Sequence, residues 1–208
     1  MKTILDRFAA KIARKIKRRR FDNKEFWNTR YRTDMEMGSG PGSRNENLVL
    51  KRNLIADCME SYGVTSILDL GCGDIEIIRD LEIGQYHGVD ISDVVIDRNR
   101  TIRPDFNFEC NAIRDITFEG KADLVLCLDV LIHQKSREDY ETVIKTAFKH
   151  VGKVALISGY AKSDGGWNVF FYEDIEATIR RIAPDSSLSH VASYRDTELF
   201  AVVPSRSP

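Results

Sequence analysis

The chain has 208 residues, of which 42% are hydrophobic and 30% charged, and a formal net charge of −1. That length suits one α/β domain with a short extension, and its apolar runs fall short of the ~18–20 residues needed to span a bilayer. The charge is unevenly spread: the first twenty residues hold nine Lys/Arg against Asp6, about +8, and the other 188 hold 22 basic and 31 acidic residues, about −9. An acidic body is a poor general nucleic-acid binder, because phosphate contacts need clustered positive charge.

Residues 1–20 place Ile4, Leu5, Phe8, Ile12 and Ile16 at helical spacing among Lys and Arg. This reads as a basic amphipathic extension able to lie on an anionic membrane surface, and not as a secretory signal, whose apolar stretch is unbroken by charge. The remainder, 21–208, reads as one domain. Asp22–Arg32 is predicted helical and carries Phe26, Trp27 and Tyr31. Gly38–Ser43 is too rich in Gly and Pro for regular structure. Helical spacing resumes over Asn45–Ser61 and stops at Gly63.

Strand-like and helix-like segments then alternate. Strands are predicted at Thr65–Leu70, Tyr86–Asp90, Asn107–Cys110, Ala122–Leu128 and Lys153–Ser158, and helices at Asp74–Leu81, Ser92–Ile102, Ser136–His150 and Tyr172–Ile182. That order implies a mostly parallel sheet with helices on both faces. Leu188–Tyr194 and Glu198–Val203 are two further strands joined by three residues. So short a link makes an antiparallel hairpin, because a parallel crossover needs a dozen residues or more. The fold class expected is α/β, with a doubly wound, mostly parallel seven-stranded sheet ending in a hairpin. Cys58, Cys72, Cys110 and Cys127 are widely spaced and form no CxxC pair. They read as reduced core residues of a cytoplasmic protein, with no metal site.

The most informative segment is Ser66-Ile67-Leu68-Asp69-Leu70-Gly71-Cys72-Gly73-Asp74. An apolar strand runs into a Gly-x-Gly turn, where the missing Cβ atoms let a ligand approach the backbone. Asp69 would repel a pyrophosphate and favour a cationic group such as the amino-acid end of S-adenosylmethionine. Asp90 ends the next strand 21 residues later, where an acid can accept both hydroxyls of a ribose. Asn111-Ala112 follows the third strand and is placed to meet an adenine edge. An NAD(P)-dependent oxidoreductase fits less well, since its fingerprint wants Gly or Ala where Glu76 stands.

These residues resemble a known family. ILDLGCGD at 67–74 and GVDIS at 88–92 are similar to the first two motifs of class I S-adenosylmethionine-dependent methyltransferases, and ADLVLCLDVLIH at 122–133 is similar to their fourth-strand motif. The GSGPGS loop at 38–43, with Ile75 after GCGD, resembles a group of small bacterial methyltransferases, some linked to cell-surface glycan pathways. The resemblance implies S-adenosylmethionine as donor, with Asp69, Gly71, Cys72 and Gly73 around its methionine portion. It implies Asp90 at the ribose, Ile91, Asn111 and Ala112 at the adenine, and Leu128 and Asp129 near the sulfonium. Gly42, Ser43 and Arg44 would close over the carboxylate. Ile75 departs from the family's common third glycine.

Methyl transfer needs alignment and exclusion of water, and a hydroxyl acceptor gains from a general base. His133, five residues beyond the fourth strand, is the first candidate and Asp129 the second. Tyr160, Asp164 and Trp167 lie in a loop that could line an acceptor pocket. The fourth strand is followed by Asp129-Val130-Leu131-Ile132 and not by a Pro-Pro-aromatic motif, which argues against amino methylation of nucleobases. The expected reaction is methylation of a hydroxyl on a small-molecule or glycan-like acceptor. The alternative is a non-catalytic binding protein of the same fold.

Overall fold

The computed structural model of the chain describes Asp6, Ile16, residues 18–163 and residues 165–205. Most of the predicted amphipathic extension, and Asp164, lie outside the described residues.

Seven strands form one sheet: β1 (Ser66–Leu70), β2 (Gln85–Asp90), β3 (Asn107–Cys110), β4 (Ala122–Cys127), β5 (Val151–Tyr160), β6 (Ser187–Tyr194) and β7 (Thr197–Val203). Their order is β3-β2-β1-β4-β5-β7-β6. The first five run parallel, and β7 lies antiparallel to both β5 and β6. This is the predicted doubly wound sheet with a terminal hairpin. Arg195 takes a φ of 54° in the hairpin turn, as tight turns between twisted strands require. β1 and β4 are buried on both faces, which is why apolar residues occupy successive positions in them and do not alternate with polar ones.

Among the described residues the helices with full bounds are α1 (Asn23–Thr33), α2 (Asn45–Tyr62), α3 (Asp93–Ile102), α4 (Arg137–His150) and α5 (Ile175–Ile182), which flank the sheet. Their starts follow from side-chain caps that satisfy otherwise orphaned N–H groups. Asp22 accepts from Glu25 N, Ser92 from Val95 N, Ser136 from Asp139 N and Asp174 from Ala177 N. Gly63 closes α2 in the left-handed conformation, φ 57°. Successive residues of a strand point to opposite faces, so Ile67 joins the core beside Ile55 and Val95, whereas Leu68 joins the core beside Ile144 and Ile179.

The structure departs from expectation in four places. Asp74–Leu81 is a series of turns and not a helix. Gly73 and Ile75 both have positive φ, 54° and 53°, so an i→i−4 ladder cannot begin before residue 75. Beyond it most of the bonds skip three residues, Ile78 N to Ile75 O and Leu81 N to Ile78 O, and the β-branched side chains of Ile77 and Ile78 favour a helix little. Tyr172 precedes α5 by three residues, because Asp174 is its cap. Pro41–Ser43 forms one 3-10 turn within the Gly-rich loop. Cys110 is exposed at the end of edge strand β3 and Cys58 is half-buried, so only Cys72 and Cys127 are core residues.

Candidate active site

Parallel strands deliver their carboxyl ends to one edge of the sheet, the usual ligand side of such folds. There the chain forms a cavity of about 1020 Å³. Asp69, Gly71, Cys72, Gly73, Asp90, Ile91, Asn111, Ala112, Leu128, Asp129, Ser43 and His133 all line it. Arg44 does not: its guanidinium is tied to the Asp74 carboxylate, with Nε on Glu36 O at 2.9 Å.

The Gly-x-Gly turn is built for close approach. Gly71 N and Cys72 N both donate to Val89 O, at 2.8 and 2.9 Å. Gly71 has φ 79° and Gly73 φ 54°. A Cβ on Gly71 would fall 2.4 Å from Val130 Cγ2, and one on Gly73 2.3 Å from Ser39 Oγ. The Gly-rich loop is stitched to this turn: Ser39 N donates to Asp74 Oδ2 and Asp74 N to Ser39 Oγ, both at 3.0 Å.

Two carboxyl groups are buried in the cavity wall. Asp90 accepts from Gly73 N at 3.0 Å on one oxygen and from Ser92 N at 2.9 Å on the other. Burial nevertheless pushes it up to about 6, against the pull of those backbone bonds. Asp69 accepts from Tyr86 Oη at 2.8 Å. Burial pushes it up to about 7, Asp90 nearby adds to the rise, and Tyr86 and Lys51 oppose it. Such acids are poor neighbours for a pyrophosphate and good ones for a cation. Asn111 is held in its loop: its amide donates to Asp115 O at 2.7 Å and its carbonyl accepts from Ala112 N at 3.1 Å.

Sequence reasoning missed two contributions. The first is α1, whose Asn23, Trp27 and Tyr31 line the cavity. Their only sequence signal was a concentration of aromatics just before the Gly-rich loop. The second is Lys51. Its fully buried ammonium lies 2.5 Å from Asp129 Oδ2 and 2.7 Å from Gly42 O, over the Tyr194 ring at 4.4 Å. Tyr194 Oη donates to the other Asp129 oxygen at 2.6 Å. Asp129 itself has φ 60°, a conformation that costs a non-glycine residue energy unless its surroundings fix it. A lysine on an amphipathic helix gives no sequence hint of this role.

A second cleft of about 720 Å³ adjoins the first. Trp27, Ser39, Asp129 and His133 line both. The His133 Nδ1 lies 2.8 Å from Asn168 O. A carbonyl only accepts, so Nδ1 carries the proton and Nε2 keeps its lone pair. Trp27 meets the imidazole edge-on, centroids 5.1 Å apart, and burial lowers its basicity. Tyr160 lines this cleft as the last residue of β5, and not from the expected loop beyond the strand. Trp167 does not; it meets Phe21 and Phe26 edge-to-face. Among the described residues no group of His, Cys, Asp and Glu has the arrangement of a metal site.

Residues 67–153 match the family model described as a methyltransferase domain. No curated protein matches the chain. Solved structures do share its fold. The magnesium protoporphyrin IX methyltransferase from Synechocystis with bound S-adenosylmethionine is 18% identical over 89% of this chain and 98% of that one, with a TM-score of 0.65. An N-methyltransferase from Bradyrhizobium japonicum in complex with S-adenosylhomocysteine is 14% identical over 80% and 91%, TM-score 0.62. An amino pentose methyltransferase from Micromonospora echinaspora is 10% identical over 79% and 94%, TM-score 0.63. The chain thus carries a match to a methyltransferase domain over residues 67–153 and shares its fold with solved S-adenosylmethionine-dependent methyltransferases.

Proposed function

We propose that the first cavity holds the donor and that the chain methylates a hydroxyl of a small-molecule or glycan-like acceptor entering through the second cleft. The observation that carries this is the wall the two cavities share, formed by Trp27, Ser39, Asp129 and His133. S-adenosylmethionine supplies a methyl group on a positively charged sulfur that leaves readily. The protein's own task is to bind, orient and exclude water.

In this reading Asp69, Gly71, Cys72 and Gly73 hold the methionine portion, with Ser43 above it. Asp90 takes the ribose hydroxyls: each of its oxygens has one backbone bond and room for another. Ile91, Asn111 and Ala112 enclose the adenine, and Leu128 lies near the sulfonium. His133 Nε2 accepts the proton of the attacking hydroxyl, while Asn168 O fixes the ring. Asp129, held by Lys51 and Tyr194, has lone pairs left to orient the acceptor. Replacing His133 with Ala tests the assignment. Turnover lost while S-adenosylmethionine still binds supports the base role, and wild-type turnover removes it.

The basic segment 1–20 is proposed as a surface contact for anionic lipid, which rests on its sequence. Among the described residues no helix is long and apolar enough to cross a membrane.

A further inference from the structure

Every described arginine beyond Phe21 forms an ion pair except Arg30, Arg98 and Arg195. Two of those three line the same cleft. Arg30 comes from α1 and Arg195 from the β6–β7 turn, 165 residues apart in sequence, yet both border the second cavity. Arg30 is anchored through Nε, which donates to Gly38 O at 3.1 Å, and its two Nη atoms have no partner among the described residues. A guanidinium fixed at one nitrogen with its fork free is well prepared to bind a carboxylate or phosphate in bidentate fashion.

The acids of the cleft do not cancel this charge. The Asp129 carboxylate is matched by Lys51 at 2.5 Å. Asp196, exposed on the rim beside Arg195, offsets one arginine and leaves a positive balance. The remaining walls are largely ring surfaces and apolar side chains, with Phe26, Trp27, Tyr160 and Tyr194 foremost and Val169 beside them. Aromatic walls with a few converging polar groups are the usual make-up of a small-molecule site.

Resting on the methyl-transfer reading above, we infer that the acceptor is an anion: a hydroxylated ring bearing a carboxylate or phosphate. Arg30 and Arg195 grip its acidic group, the aromatic walls hold the ring, and its hydroxyl faces His133. Arg30 is thereby a specificity-determining residue, since it binds a group that does not react.

The test is calorimetric titration, with and without S-adenosylhomocysteine, of three probes: 4-hydroxybenzoate, 4-hydroxyphenyl phosphate and the neutral 4-hydroxybenzamide. At least one anionic probe is expected to bind about tenfold or more tightly than the amide, which is the size of one charge-assisted contact. The ratio of the two anions tells carboxylate from phosphate. Arg30→Gln is expected to abolish the preference, Arg195→Gln to reduce it, and Arg98→Gln to leave it unchanged. Binding of both anions no tighter than the amide, no binding of either anion at millimolar concentration, or the same preference in Arg30→Gln as in Arg98→Gln overturns the inference. S-adenosylhomocysteine affinity, measured on every variant, reports a folded donor site. Its absence from the wild type would sink the methyl-transfer reading, whereas its presence without an anion preference sinks only this one.

Discussion

Asp69 carries a burial cost that the donor relieves on the proposed reading. Its folded value of about 7 lies well above the ordinary carboxyl, so between about pH 4 and pH 7 the folded chain binds a proton that the unfolded chain has released. By linkage, its contribution to stability is present at low pH and lost as pH rises through 7. A cationic ligand prefers the ionised form, so S-adenosylmethionine affinity should rise from pH 5.5 to 8 and level off above Asp69's value. Calorimetry across that range checks it, and Asp69→Asn should flatten the rise while melting no lower than the wild type at pH 8. His133 gives a second titration. Burial lowers it, so the acid limb of the wild-type pH–rate profile should lie below the ordinary histidine range. Lys51→Met should leave the Asp129 carboxylate without its cation and destabilise the fold by about 3–5 kcal/mol. Urea unfolding measures this, and adding Asp129→Asn should recover part of the loss.

The strands and most helices were legible because each rule that forms them is local. β4 shows an unbroken apolar run, α3 and α4 open on serine caps, and the Arg195-Asp196 link admits only a hairpin. Asp69, Gly71, Gly73 and Asp90 were legible as a group because backbone turn and carboxylate chemistry recur at fixed spacing. The segment after them was not. Ile75, Ile78 and Leu81 imitate a helical stripe, and nothing in the letters shows that Ile75 adopts a left-handed backbone. The family's common third glycine marks that conformational demand, and here an isoleucine meets it while 2% exposed. Burial of its side chain opposes the backbone strain. Ile75→Gly should therefore be net destabilising, since losing a buried aliphatic costs about 2–5 kcal/mol and relieving the strain returns about 1–3. Thermal melting decides the sign. Lys51, Arg30 and Arg195 were illegible for another reason: their roles depend on which elements meet in space.

The whole molecule is electrically two-part, with an acidic body and a strongly basic start. If residues 1–20 contact lipid, the full chain should pellet with vesicles containing phosphatidylserine, and less so as salt rises, because exposed charge is screened. A shortened chain beginning at Phe21 should stay in the supernatant. Equal pelleting of both forms ends that idea. The insertion of β7 between β5 and β6 also bears on how the protein is made. Until the hairpin docks, β5 presents an open edge to its surroundings, the kind of edge that recruits other chains. Tyr194 and Arg195 reach the second cleft only with that hairpin. On the ribosome, the residues before Ser187 can form the first cavity while the second still lacks one wall, so on the proposed reading the choice of acceptor is acquired last.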